Sequence, residues 1–144
     1  MYKVMILLAA SVIFVGCATT PIASSVAKST PSERLLAFQQ KTPSTTSTLI
    51  VTRDEGFIGS GCFYSLAING ILAARLDVGE TSRFYLEPGE ILLRVGRDPY
   101  GRGLCGAGQE YRTQRETILR PGEIKCFRLL IDAIGATDIQ RSEY

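Results

Sequence analysis

Histidine is absent from the whole 144-residue chain. Without an imidazole, no serine–histidine triad, papain-like dyad or His-ligated zinc site can be assembled. Close cysteine spacing is missing as well: the four thiols stand at 17, 62, 105 and 126, too far apart for a metal knuckle. A long apolar run is also lacking. The longest, residues 4–15, would make a helix of about 18 Å, well short of a hydrocarbon core of about 30 Å. Excess charge of one sign is lacking too, with 16 basic side chains against 14 acidic ones, and this disfavours nucleic acid as a partner. Gly59-Ser60-Gly61 lacks the G-x-S-x-G pattern of a nucleophile elbow. The glycines between 101 and 108 carry no Gly-Lys-Ser/Thr ending, so they read as a plain loop rather than a phosphate cradle. Glu110, Glu116 and Glu123 are candidates for an acid–base pair, but nothing in their spacing converges them. No catalytic residue, metal ligand or cofactor is expected, and the chain reads as a nonenzyme.

What is present begins with an address. Lys3 precedes the uncharged run over 4–15, and the small Gly16 follows it, which is the pattern of a secretory signal peptide. Phe14-Val15-Gly16-Cys17 resembles a bacterial lipobox, although Phe14 stands where such boxes usually carry leucine. By that resemblance Cys17 receives a diacylglycerol, residues 1–16 are removed, and the new amino terminus is acylated. The alternative is an ordinary signal peptide ahead of a chance cysteine. Two or three acyl chains make a tether effectively permanent, at about 0.8 kcal/mol per buried methylene. Ala18 is not the aspartate that usually retains such proteins in the inner membrane, so the outer membrane is favoured, with the protein facing the periplasm.

Residues 17–47 form the second region, rich in Ser, Thr, Ala and Pro. Such a stretch buries too little apolar surface to offset its ordering entropy and is expected to be a flexible spacer. One island interrupts it. Thr30 and Glu33 have capping-box spacing and Pro31 falls at the first helical position, so a short helix is predicted near 31–40. Leu35, Leu36 and Phe38 would need a surface to pack on, which the following domain or a partner would supply.

The folded domain is predicted over 48–144 as a small all-β sandwich of about seven to eight strands, because turn signals recur every 8–12 residues or so. Strands are expected over 48–53, 62–68, 71–78, 82–87, 91–95, 110–119, 124–131 and 138–140. Asn69-Gly70 suits the positive φ angles of a type I′ hairpin turn. A two-residue turn there sets Ile68 opposite Ile71, Leu66 opposite Ala73 and Tyr64 opposite Arg75. Both faces of that hairpin are apolar, so alternation leaves open which of them meets the core.

Phe63-Tyr64-Ser65-Leu66-Ala67-Ile68-Asn69-Gly70, Phe84-Tyr85-Leu86-Glu87-Pro88-Gly89-Glu90 and Leu92-Leu93-Arg94-Val95 resemble small β modules of the PEGA type. Over most of 49–140 the chain also resembles uncharacterised lipoproteins of enterobacterial prophages, the YafY and YfjS type. The matching residues include Thr52-Arg53-Asp54-Glu55-Gly56, Gly59-Ser60-Gly61-Cys62, Asp98-Pro99, Gly103-Leu104-Cys105-Gly106, Gln114-Arg115-Glu116-Thr117 and Phe127-Arg128-Leu129. The resemblance implies membrane attachment and a mobile-element origin, and no assigned chemistry.

With Cys17 lipidated, three cysteines remain in a disulfide-permissive compartment, which means one bridge and one free thiol. Closing Cys62 to Cys105 is worth roughly 4 kcal/mol in the chain-entropy model, and Cys105 to Cys126 roughly 3.4, so energy does not choose between them. Local context does. Cys62 and Cys105 both lie among glycines that let two backbones approach, whereas Cys126 sits mid-strand, so a Cys62–Cys105 bridge is predicted.

Twelve of the basic residues are arginines, and Arg94, Arg97, Arg102, Arg112, Arg115 and Arg120 crowd the glycine loop. One reading pairs them across strands with Asp98, Glu110 and Glu116. The other makes the loop a contact patch, with Arg97, Asp98, Tyr100 and Arg102 as candidate partner-binding residues. The expected function is that of a membrane-anchored envelope lipoprotein whose β domain binds an envelope protein or an anionic envelope component. The alternative is an inhibitor or exclusion-type surface protein serving a mobile element.

Overall fold

The computed structural model describes residues 19–107 and 113–143. Cys17 and the predicted leader lie outside these residues, as do Glu110 and Arg112. The described residues form an all-β sandwich of nine strands in two sheets. In order they are β1 (Lys28–Ser29), β2 (Ser47–Arg53), β3 (Tyr64–Ile68), β4 (Ile71–Leu76), β5 (Glu80–Leu86), β6 (Gly89–Arg97), β7 (Thr113–Leu119), β8 (Ile124–Ile131) and β9 (Thr137–Ser142). One sheet runs β1-β5-β2-β8-β9 and the other β4-β3-β6-β7.

Alternation explains the core. Along β2, Leu49 and Val51 are fully buried and meet Phe84 and Leu86 of β5 and Phe127, Leu129 and Ile131 of β8. The facing sheet supplies Leu66 and Ile68 of β3, Leu76 of β4 and Leu93 and Val95 of β6. The hairpin face carrying Tyr64, Leu66 and Ile68 thus joins the core. Each buried side chain of this size contributes about 1.5–3 kcal/mol relative to exposure. Side chains also close the open flank between the sheets. Thr113 of β7 donates to the Thr137 carbonyl of β9, and Arg115 Nε donates to the Ile139 carbonyl at 2.7 Å.

The Asn69-Gly70 turn forms as its residues demand, with φ of 50° and 82°. Ile68 faces Ile71 as predicted, but the register slips between Leu66 and Ala67. Beyond the slip Leu66 pairs with Ala74, Ser65 with Arg75 and Tyr64 with Leu76, so the predicted Leu66–Ala73 and Tyr64–Arg75 pairs do not form. An extra residue on β4 lets Ala73 and Ala74 both be buried, and turn chemistry alone cannot anticipate such a bulge.

Two expectations for the segment before β2 are corrected. The short helix predicted near 31–40 is a single 3-10 turn, Ser32–Arg34, after which Leu35 is already extended. Thr30 does not cap it. Its hydroxyl donates to the Thr81 carbonyl at 3.2 Å and accepts from the Ser82 hydroxyl at 2.7 Å. A two-turn helix is marginal by itself, whereas the sheet edges offer backbone partners at once. Leu36 N–H accordingly donates to the Ala73 carbonyl at 2.8 Å, and the Phe38 carbonyl accepts from Tyr85 N–H at 2.9 Å. Leu35 and Phe38 pack on the core as a strap.

Nor is the rest of the 17–47 region a flexible spacer where it is described. Thr19 N–H donates to the Ile131 carbonyl at 3.2 Å, Thr20 bridges Glu55, and β1 runs parallel to β5 through Lys28–Glu80 and Ser29–Thr81 pairs. Small hydroxyl side chains bury little apolar surface, but they do not stop a backbone from satisfying a sheet edge.

Candidate functional site

Strand register sorts the connections to two ends. Because β2 and β8 are parallel and pair Arg53 with Leu129, their trailing ends lie together, and Arg97 at the end of β6 pairs with Tyr64 at the start of β3. The connections 54–63, 77–79 and 132–136 and the described part of the β6–β7 connection, 98–107, therefore gather at one end, where the chain also enters through Thr19 and Thr20. We call this the entry end. The Asn69-Gly70 turn marks the opposite, hairpin end.

The predicted disulfide is formed at the entry end. Cys62 and Cys105 are bridged with their Cα atoms 5.3 Å apart, and Cys126 is free. The bridge ties the 54–63 connection to a 3-10 turn, Gly103–Cys105, whose tight entry requires a glycine. A Cβ on Gly101 would fall 2.5 Å from the Cys105 carbonyl oxygen, a backbone atom that has nowhere to go. Arg97 pins the same turn by donating to the Leu104 carbonyl at 2.6 Å.

Asp98 does not pair with the neighbouring loop arginines. Its partner is Arg75 of β4, through a two-pronged contact of Nε to Oδ1 at 2.8 Å and Nη2 to Oδ2 at 2.5 Å. Oδ1 also accepts from Tyr100 N–H at 3.0 Å. Burial alone would raise the Asp98 carboxyl. The Arg75 hydrogen bonds, the Tyr100 amide and the Arg75 charge together outweigh it and hold the group below the usual carboxylate range. The hydrogen bonds to Asp98 in turn raise Arg75.

Aromatic rings alternate with cations around this pair. The Arg75 guanidinium lies 5.1 Å from the Tyr100 ring and 5.3 Å from the Phe63 ring, and Arg34 sits 4.4 Å from the Phe63 ring. Arg34 is itself paired with Glu80 at 2.7 and 2.5 Å, and that bond raises it. Both cations of the stack are thus compensated. They stiffen the floor of a cleft of about 380 Å³, lined by Phe63, Arg75, Asp98, Tyr100 and Arg102, rather than presenting free charge.

The four predicted contact residues therefore divide. Arg97 and Asp98 hold the loop together, whereas Tyr100, 66% exposed, and the exposed Arg102 are displayed by it. Among the described residues Arg102 makes no ion pair. Of the other arginines predicted to crowd the loop, Arg115 reaches Asp138 at 3.4 Å, and Arg120 gives its amide N–H to Glu123 at 2.8 Å. The latter bond leads the interactions that lower the Glu123 carboxyl. Glu116 lies apart from Glu123, in the larger cleft of about 630 Å³ on the outer side of β6 and β7, beside Glu90.

One buried group escaped sequence reasoning. Arg53 ends the alternating series Leu49, Val51, Arg53, and its side chain follows the same inward parity, with the residue 1% exposed. Its guanidinium donates to the carbonyls of Cys62, Leu76 and Gly59 at 2.7, 2.9 and 2.7 Å and lies 4.6 Å from the Tyr64 ring. Burial pushes it down to about 10. Nε has no partner. Its place in an apolar alternation was the available signal. Next to it Asp54, almost wholly buried, takes Arg128 and the Thr19 hydroxyl, so the incoming chain is locked to the same end.

Comparison with family models, curated proteins and solved structures returned no match for the chain.

Proposed function

We propose that the protein is a lipid-anchored envelope protein whose β-sandwich is a noncatalytic contact module, held at the periplasmic face of the outer membrane through Cys17. The 98–105 loop is its contact element and an anionic envelope component its partner. The observation that carries this reading is the division of labour in the loop. A disulfide, the Arg75–Asp98 pair and the Arg97 bond to Leu104 hold it, and the aromatic Tyr100 and the exposed Arg102, which makes no ion pair among the described residues, face outward. Tyrosine and arginine are the side chains most enriched where proteins make contacts, and holding them in place in advance lowers the ordering cost of binding. The Phe14-Val15-Gly16-Cys17 run and the resemblance to prophage lipoproteins support the anchor.

Two measurements test the proposal. In cells, Cys17→Ser should block processing and release the protein from the membrane fraction, and normal processing with firm retention would refute the anchor. A photo-crosslinking residue at position 100 should capture envelope material that the same residue at position 71, at the hairpin end, does not. Capture of a foreign phage or secreted protein at position 100 would instead support an exclusion role.

A further inference from the structure

Large apolar side chains left in water are unremarkable singly, and only their placement carries information. Among the described residues five are more than 60% exposed: Val26 (71%), Phe57 (91%), Tyr100 (66%), Leu104 (86%) and Ile134 (90%). They come from well-separated parts of the sequence, yet register puts all of them at the entry end. Phe57 tips the β2–β3 connection, Tyr100 and Leu104 the β6–β7 connection, Ile134 the β8–β9 turn, and Val26 precedes Lys28, which pairs with Glu80 at the start of β5. The remaining exposed large apolar residues, Leu36, Ile71, Ile118 and Ile124, are 45–58% exposed and lie along the strap or toward the hairpin end.

The chain enters at this same end. Thr19 is bonded to Ile131 and Asp54 there. Two Cα–Cα steps of about 3.8 Å separate it from Cys17, so the Cα that would carry the acylated thiol lies within about 8 Å of the Thr19 Cα. A flexible spacer of about 30 residues would instead let the domain wander about 30 Å from its anchor in any orientation. Among the described residues at this end Lys28, Arg102 and Glu55 are exposed and Asp77 and Asp132 half-buried, so cations stand beside the apolar tips, where anionic headgroups would meet them.

We propose that the entry end is a bilayer-docking face: Phe57, Leu104 and Ile134 enter the headgroup region of the membrane that holds Cys17, with Tyr100 and Arg102 at the headgroup level. This deepens the functional reading above and rests on it, naming the anionic envelope component as the phospholipid surface. Amphipathic surfaces of this kind settle about 5–10 Å into the headgroup boundary. The strands then stand away from the membrane, with the hairpin end outermost.

The chain has no tryptophan, so one introduced residue reports alone. Full-length lipidated protein carrying Phe57→Trp, Leu104→Trp or Ile134→Trp, with Ile71→Trp as the far-end control, is reconstituted into phosphatidylethanolamine–phosphatidylglycerol vesicles containing brominated acyl chains. The three tip sites should lose most of their emission to bromine and shift to shorter wavelength, while position 71 keeps its emission. The substituted side chains lie largely in solvent, so folding is not at stake, and each tip site tests the face independently. Protein that floats with the vesicles but shows equal quenching at all four sites, or none, overturns the docking face and leaves the anchor standing. The docking face fails equally if the tips stay unquenched and crosslink to an envelope protein. Protein that does not float at all overturns the anchor itself.

Discussion

Arg53 offers the sharpest test of how this sandwich is held together, because the conservative substitution should be the worse one. Its guanidinium spans three carbonyls that a single ammonium cannot reach together. Lysine would keep a charge in a site that already pushes arginine down to about 10, while making fewer of the three bonds that offset it. Breaking a buried charged cluster in this way costs about 3–5 kcal/mol. Methionine has nearly the same length and no charge. It forfeits three charge-assisted bonds of about 1.5 kcal/mol each, but it also removes a charge-burial penalty of about 3 kcal/mol and the unpartnered Nε. The net cost of Arg53→Met should therefore be about 1 kcal/mol and that of Arg53→Lys about 3 kcal/mol or more. Equilibrium urea unfolding at pH 7, followed by far-ultraviolet circular dichroism with the disulfide intact, reads both. With a slope near 2 kcal/mol/M, the midpoint should fall by roughly 0.5 M for methionine and 1.5 M or more for lysine. If lysine is tolerated as well as arginine while methionine unfolds the domain, the site rewards charge rather than geometry, and the three-carbonyl account of Arg53 is refuted.

Other perturbations follow from the same end of the molecule. Replacing both Cys62 and Cys105 by serine opens a link across 43 positions and should destabilise the domain by about 4 kcal/mol, a fall in urea midpoint of roughly 2 M. An unchanged midpoint would mean that the strands alone confine those loops. Asp98→Asn leaves Arg75 partly buried without its counter-charge and should cost about 2 kcal/mol at pH 7. The folded Asp98 carboxyl is held below its unfolded value, so its contribution is complete above about pH 4 and is lost as pH falls through the folded value. Stability measured from pH 7 down to pH 2 should therefore decline less steeply in Asp98→Asn than in the parent, and parallel curves would refute the assignment. Gly101→Ala drives a Cβ against the Cys105 carbonyl and should displace the loop. It should be read as faster reduction of the disulfide by dithiothreitol, with an unchanged reduction rate counting against the close approach.

What could be read without the structure was local. Asn69 and Gly70 adopt positive φ because their own side chains permit it, and strand β8 occupies its predicted span because eight alternating residues lie between two turn signals. Glycines around Cys62 and Cys105 signalled the bridge for the same reason, since backbone permissiveness is a property of the residue itself. Of the four candidate contact residues Tyr100 and Arg102 are exposed, whereas Arg97 and Asp98 are struts. The difference lies in Arg75 and Leu104, whose nearness depends on how β4, β6 and the loop fold together.

From the residues alone came the all-β class, the order of the strands from β2 onward and the hairpin turn, because each depends on interactions within a few positions or on a side-chain period of two, and also the bridging pair, signalled by the glycines beside each cysteine. Tertiary structure alone decided the slip at Ala73, the docking of the hydroxyl-rich segment along β4 and β5, the inward turn of Arg53, and the gathering of Phe57, Leu104 and Ile134 at one end. These outcomes depend on which distant strand edge or loop is left with an unmet hydrogen bond or an open flank. That demand exists only once the two sheets have closed on each other.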